Sequence, residues 1–156
     1  MSEQDHVEEE QETAEYKTKE PSYDIFRKNS VMFNFYKPSF VEYQGKTRAR
    51  FFVSGSVYSP QLQKLDFANR ITVTLSPTDL GKLIHGIRNA EKVDLFHKSE
   101  YKTTTISYTP DKNTFGMSEK RNDQDPKRAF VNLSNEEIQV LLVLFDKAIT
   151  MQIWGE

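Results

Sequence analysis

In residues 46–58, KTRARFFVSGSVY, basic and aromatic side chains interleave at the spacing of a β-strand. Successive side chains of a strand point to opposite faces. Ala49, Phe51 and Val53 therefore share one face, while Arg48, Arg50 and Phe52 share the other, with Lys46 at its start. Further on, Lys98, Tyr101, Lys102, Tyr108 and Lys112 fall on or near strands and turns that extend such a surface. Guanidinium and ammonium groups neutralise phosphates and release counterions, which gives affinity that ignores base sequence and weakens with salt. Aromatic rings accept bases by stacking, at roughly 1–3 kcal/mol per base. Together these are the two parts of single-strand binding. Solvated arginines and a Phe52 packed under a loop are the plain alternative, and each residue taken alone fits it.

Catalytic chemistry finds less support. The chain has no cysteine, so disulfides, thiolate metal sites and a cysteine nucleophile are excluded. Of the three histidines, His6 is near the start, His85 is on the polar side of a helix and His97 ends a strand. None has a partner at metal-ligand spacing. A glycine-rich phosphate loop, a nucleophile elbow and a paired-carboxylate motif are all missing from the sequence. The expectation is a binding protein, not an enzyme, with no cofactor and no metal. Trp154 reads as a packing anchor for the last helix.

The elements that must position the basic strand show a repeat. Residues 71–87, ITVTLSPTDLGKLIHGI, match residues 129–145, AFVNLSNEEIQVLLVLF, 58 positions later. Each copy is an alternating apolar run, a serine, an acid three residues on, and apolar residues at helical spacing. Ser76 with Asp79 and Ser134 with Glu137 are thus capping boxes, and Pro77 sits where a helix tolerates proline best. Strands are expected over 31–37, 46–58 with a bend at Gly55, and 70–75, followed by a helix over 77–89. Residues 38–45 and 60–66 read as loops. Four more strands, at 92–98, 101–109, 113–121 and 127–133, precede a helix over 135–151. The first helix has one apolar stripe, Leu80, Leu83, Ile84 and Ile87. The last has two: Ile138, Leu141, Leu142, Phe145 and Ile149, and then Val140, Leu144, Ala148 and Met151. A helix apolar on two sides needs two partners. Packing against the first helix of the same chain would satisfy it, and so would a subunit interface. Because the first helix is too polar to cover all of it, the second stripe is expected to help form an interface of a homo-dimer or homo-tetramer.

Charge is divided along the chain. Residues 1–20 carry eight acids and two lysines, which leaves residues 21–156 with 15 acids and 19 basic residues. Residues 1–24 are too polar to offset the entropy of ordering and read as a disordered acidic tail, ahead of one domain over 25–156. A tethered polyanion beside a basic groove competes with nucleic acid. A solubilising tail is an equal reading. No apolar run is long enough to span a membrane, and the N-terminus does not resemble a signal peptide, so an intracellular, soluble protein is expected.

Two tandem β-β-β-β-α units, over about 31–90 and 92–151, with basic and aromatic residues on exposed strands, resemble the Whirly family. Gly45-Lys46-Thr47-Arg48-Ala49-Arg50 looks like the KGKAAL stretch of that family, with Arg48 and Arg50 where the motif is less basic. The resemblance implies an α+β fold, shared with Pur-repeat proteins, trypanosomatid guide-RNA-binding proteins and positive-cofactor-four coactivators. It also implies binding of single-stranded DNA in replication, recombination or repair, in the cytoplasm or nucleoid or nucleus of the host cell. Viral single-stranded-DNA-binding proteins of related fold fit an acidic-tailed chain of this size too. An RNA-binding or annealing protein of the same fold, and a protein-interaction module acting through its last helix, are the alternatives.

Overall fold

A computed structural model of the chain describes residues 21–155. Its elements are β1 (Ser22–Arg27), β2 (Val31–Tyr36), β3 (Ser39–Tyr43), β4 (Lys46–Ser59), β5 (Lys64–Leu65), β6 (Ile71–Leu75) and α1 (Pro77–Asn89). Then follow β7 (Val93–Lys98), β8 (Lys102–Thr109), β9 (Thr114–Arg121), β10 (Lys127–Asn132) and α2 (Asn135–Trp154). The fold is α+β, with two antiparallel sheets and a helix closing each unit, as the sequence pattern predicts.

β4 is the hub of the first sheet. Its residues Phe51–Gly55 pair with β6, Val53–Val57 pair with β2, and Lys46–Arg50 pair with β3. The β2 and β3 registers on β4 differ by one residue across Lys37-Pro38, so the two strands are one hairpin arm with a bulge. Proline there suits the break, because it cannot donate to a ladder. The arm turns back through Gln44 and Gly45, both at positive φ (51° and 76°), the geometry of a two-residue turn. Residues 38–45 are therefore strand and turn, not the loop the Pro and Gly punctuation suggests.

Gly55 makes no bend either; β4 runs through it. A Cβ at that position would lie 3.1 Å from both the Ala129 Cβ and the Phe33 ring, so the glycine lets β10 of the second sheet approach β4. β1 was also hidden in the sequence, and it begins inside the tail expected over 1–24. Ser22, Tyr23 and Asp24 pair with Tyr36, Phe35 and Asn34, while residues 1–20 lie outside the described residues. Of the six residues of β1 only Ile25 is fully buried, which is why its alternation reads so weakly.

The second sheet has the order β10-β9-β8-β7 and matches the expected strands to within a residue or two. Inner faces of the two sheets meet in a cluster of phenylalanines. Phe115 of β9 lies edge-on to Phe33 (5.3 Å) and near Phe35 (5.6 Å), and Phe145 of α2 contacts Phe35 (6.1 Å) and Phe51 (5.9 Å). Each ring fully buried contributes roughly 1.5–3 kcal/mol. Both capping boxes form: the Asp79 and Glu137 amides donate to Ser76 and Ser134 Oγ (3.1 Å each), and the serine amides donate back to the carboxylates (3.1 and 2.8 Å). No described helix is long and apolar enough to cross a membrane.

Arg27 of β1 clamps the start of α2. Its guanidinium donates to both Glu137 carboxylate oxygens (2.6 and 3.1 Å) and to the Asn132 carbonyl (3.0 Å). The hydrogen bonds from Arg27, with help from Ser134, hold Glu137 below the ordinary carboxylate value against the effect of burial.

Along α2, Ala148 and Met151 are buried within the chain, and Leu144 is half-buried against the core. Three of the four residues assigned to a subunit interface are thus largely covered by their own chain, because α2 lies against both β4 and α1. Only Val140 of the four is exposed. Val143 (67 %), Ile153 and Trp154 (76 %) are the other large apolar side chains that α2 leaves open, so among the described residues Trp154 is mostly exposed and not the packing anchor expected.

Candidate nucleic-acid interface

Each sheet turns one face to the core and the other to solvent. On the first sheet the solvent face carries Arg48, Arg50 and Phe52 of β4, Met32 and Tyr36 of β2, Phe26 of β1, and Thr72 and Thr74 of β6; Asn34, Ser54 and Ser56 share their parity but are buried. The assignment of Arg48, Arg50 and Phe52 to one face holds. Arg48 and Arg50 are exposed on the two-stranded ribbon of β3 and β4, opposite Val41 and Ser39. Among the described residues neither forms an ion pair. Lys46 begins the same ribbon and is also exposed.

Phe52 is half-buried, and the register continues Tyr36 to its side. The Tyr36 hydroxyl lies 3.2 Å from Ser54 Oγ, and Ser54 Oγ donates to Asn34 Oδ1 (3.3 Å). Asn34 Nδ2 in turn donates to Asp24 Oδ1 (2.7 Å). This polar ladder across β1, β2 and β4 fixes the Tyr36 ring beside Phe52. Phe26, which the sequence reading did not select, is exposed at the β1 edge of the same face.

The second sheet presents a similar surface from mostly different residues than expected. One cross-strand row is Phe96, Thr105, Ser118 and Arg128; the next is Asp94, Ser107, Gly116 and Phe130; a third is Lys98, Thr103 and Lys120. Phe96 (64 % exposed) and Phe130 (48 %) stand on a carpet of hydroxyls with Lys98, Lys120 and Arg128 around them. Gly116 makes room for Phe130: a Cβ there would collide with ring carbons of Phe130, so the ring comes close over the bare backbone. Of this face the sequence reading named Lys98 alone.

The remaining expected residues divide. Tyr101 is exposed just before β8, and Lys112 is exposed in the β8–β9 turn. Tyr108 is in the core, 1 % exposed, with its hydroxyl donating to Asn113 Oδ1 (2.6 Å) and its pKa raised by burial. It cannot stack a base as placed. Lys102 points to the inner side of the sheet end, where its Nζ meets Glu119 Oε1 at 3.1 Å. Arg121 Nε (3.3 Å) and Lys127 Nζ (3.7 Å) hold the other oxygen of Glu119. Burial alone would raise the Glu119 pKa, but hydrogen bonds from Lys102 and Arg121 outweigh it and keep the carboxyl below its ordinary value.

The two described histidines each lie beside a carboxylate, and His6 is outside the described residues. His97 Nε2 is 3.0 Å from Asp79, tying β7 to the α1 cap, and His85 Nε2 is 3.3 Å from Glu91.

No protein-family model and no curated protein sequence matches the chain. Solved structures do match it in three dimensions. WHY3 from Arabidopsis thaliana superposes with a TM-score of 0.70 at 14% identity, over 86% of this chain and 89% of that one. The MRP1/MRP2 structure from Trypanosoma brucei superposes with a TM-score of 0.53 at 17% identity, over 87% of this chain and 96% of that one. The fold is Whirly-like. At these identities the likeness extends to architecture and not to individual side chains.

Proposed function

We propose that the chain binds nucleic acid, and specifically single strands, DNA in preference to RNA, without catalysis. One observation carries this reading: each sheet turns outward a face on which basic and aromatic side chains interleave. Arg48 and Arg50 beside Phe52 and Tyr36 supply phosphate contacts and a stacking surface on the first sheet. Phe96 and Phe130 with Lys98, Lys120 and Arg128 supply them on the second. Neither face has base-edge readers in a groove-filling element, so affinity is largely independent of sequence. The Whirly-like architecture supports the same class of ligand, and a role in replication, recombination or repair follows by analogy of fold. Assembly into a homo-oligomer belongs to the same reading, now through Val140, Val143 and Trp154, which α2 leaves uncovered.

Fluorescence anisotropy of a labelled oligo-dT, with duplex DNA and single-stranded RNA as competitors, tests the reading. Binding that weakens with salt and resists the duplex competitor is expected. Equal competition by duplex overturns single-strand preference, and no binding at low salt overturns the nucleic-acid reading. Stronger competition by RNA overturns the choice of DNA, since a site that accommodates the 2′-hydroxyl accepts RNA.

A further inference from the structure

At the β6 edge of the first sheet, the end of the β8–β9 hairpin closes over Arg70 and Thr72 to form a polar cavity of about 420 Å³. Lys102, Arg121 and Glu119 form its opposite wall. The charge there does not balance. Glu119 is 3 % exposed and is the single carboxylate of the lining, yet Lys102, Arg121 and Lys127 all converge on it. Arg70, across the cavity, forms no ion pair among the described residues. The lining thus sets three cations, Arg70, Lys102 and Arg121, against one carboxylate, a net excess of two positive charges.

The donor inventory shows where that excess is aimed. Arg121 uses its Nε on Glu119, which leaves the terminal nitrogens of its guanidinium without a described partner. Lys102 likewise gives one donor to Glu119 and has others to spare. Glu119 acts as a buttress that holds both cations in place, and the Arg70 guanidinium completes the cavity from the other side. Fixed guanidinium forks match the paired oxygens of a phosphate better than any neutral ligand.

We infer that this cavity is a phosphate-binding site, built by Arg70, Lys102 and Arg121 with Glu119 as their support. The phosphate comes either from the backbone of a bound strand or from a free phosphate compound. The backbone source rests on the nucleic-acid reading above. It suits the placement, since Arg70 directly precedes β6 and Thr72 belongs to the solvent face that also carries Arg48 and Arg50. The cavity and the ribbon then mark two ends of one path across that sheet.

The test uses the full chain and an Arg70→Ala variant. Arg70 is exposed and outside the core, so the variant folds, and an unchanged thermal melt checks this. Oligo-dT anisotropy over a salt series is expected to show the slope of log affinity against log salt smaller by about 0.7, one phosphate contact on a single strand. Side-chain NMR of the arginine Nε–H groups is read during separate titrations with oligo-dT and inorganic pyrophosphate. Shifts of Arg70 and Arg121 with the oligonucleotide assign the site to backbone phosphate; shifts with pyrophosphate alone assign it to a free phosphate compound. If oligo-dT binds but neither the slope nor these signals change, the site is refuted and the nucleic-acid reading stands. If oligo-dT does not bind but pyrophosphate shifts both arginines, the site stands and that reading falls. If oligo-dT does not bind and pyrophosphate shifts neither arginine, both fall.

Discussion

Replacing Arg48 and Arg50 together by alanine isolates the electrostatic part of the proposed interface. Both side chains are exposed, their cross-strand neighbours Val41 and Ser39 are uncharged, and among the described residues neither arginine has a carboxylate partner. Their loss therefore strands no buried charge, and fold stability should stay within about 0.5 kcal/mol. If each arginine makes one phosphate contact to a single strand, the slope of log affinity against log salt falls by roughly 1.4 in the double variant. Carried from 1 M down to 0.1 M salt, that slope difference is a loss of roughly 25-fold in affinity, shrinking to roughly 5-fold at 0.3 M. Anisotropy of a labelled oligo-dT across a salt series measures both numbers, and a melt by circular dichroism confirms the fold. A loss of equal size at every salt concentration refutes the phosphate-contact argument, since counterion release must scale with salt. An unchanged slope and affinity removes the ribbon from the interface.

Other perturbations probe different terms. Phe96→Ala/Phe130→Ala should weaken oligo-dT binding by roughly 1–3 kcal/mol for each stacked base with the salt slope unchanged, in contrast to the arginine pair; an unaltered affinity excludes the second sheet from the site. Arg27→Ala should cost about 1 kcal/mol of stability at neutral pH, discounted because Arg27 is partly exposed. The sign with pH follows from the depressed Glu137 pKa: the contribution is present above the ordinary value of 4.5 and is lost as pH falls through the lower folded value. Melting curves of the two proteins should therefore draw together in acid, leaving only the part due to the Asn132 carbonyl bond, and a gap that does not narrow contradicts the linkage. Val143→Asp should shift an oligomer towards monomer in light scattering without lowering the melting temperature, because Val143 is exposed in the single chain; an unchanged mass places the interface elsewhere.

The parts of the fold that were legible are those where a local rule and a tertiary need coincide. Ser76 with Asp79 and Ser134 with Glu137 close capping boxes regardless of what packs above them, so both helix starts were readable. The strands of the second sheet alternate strongly because one face is buried throughout. β3 and β1 were not readable for opposite reasons. β3 sits between a proline and a glycine that look like loop punctuation but serve a bulge and a tight turn. β1 is polar because most of it lies at a sheet edge, and its one deep anchor is Ile25. Gly55 looked like a bend because its role depends on Ala129 and Phe33, which no neighbourhood in the sequence reveals.

For the site, the decisive information was strand parity measured from an apolar anchor. Ile106 must face the core, and Lys102, Thr104 and Tyr108 share its parity, so they share its face. The sequence alone carried enough to withdraw Lys102 and Tyr108 from a solvent surface. The same count from Leu95 turns Phe96 and Lys98 outward, and from Ala129 and Val131 it turns Arg128 and Phe130 outward. Residue type misled where parity would not have: a tyrosine and a lysine look like binding residues wherever they stand. Parity cannot say, however, that β8–β9 closes over Arg70, since that depends on how two sheets cross. The solvent faces can thus be derived strand by strand, whereas the cavity around Glu119 exists only in the assembled fold.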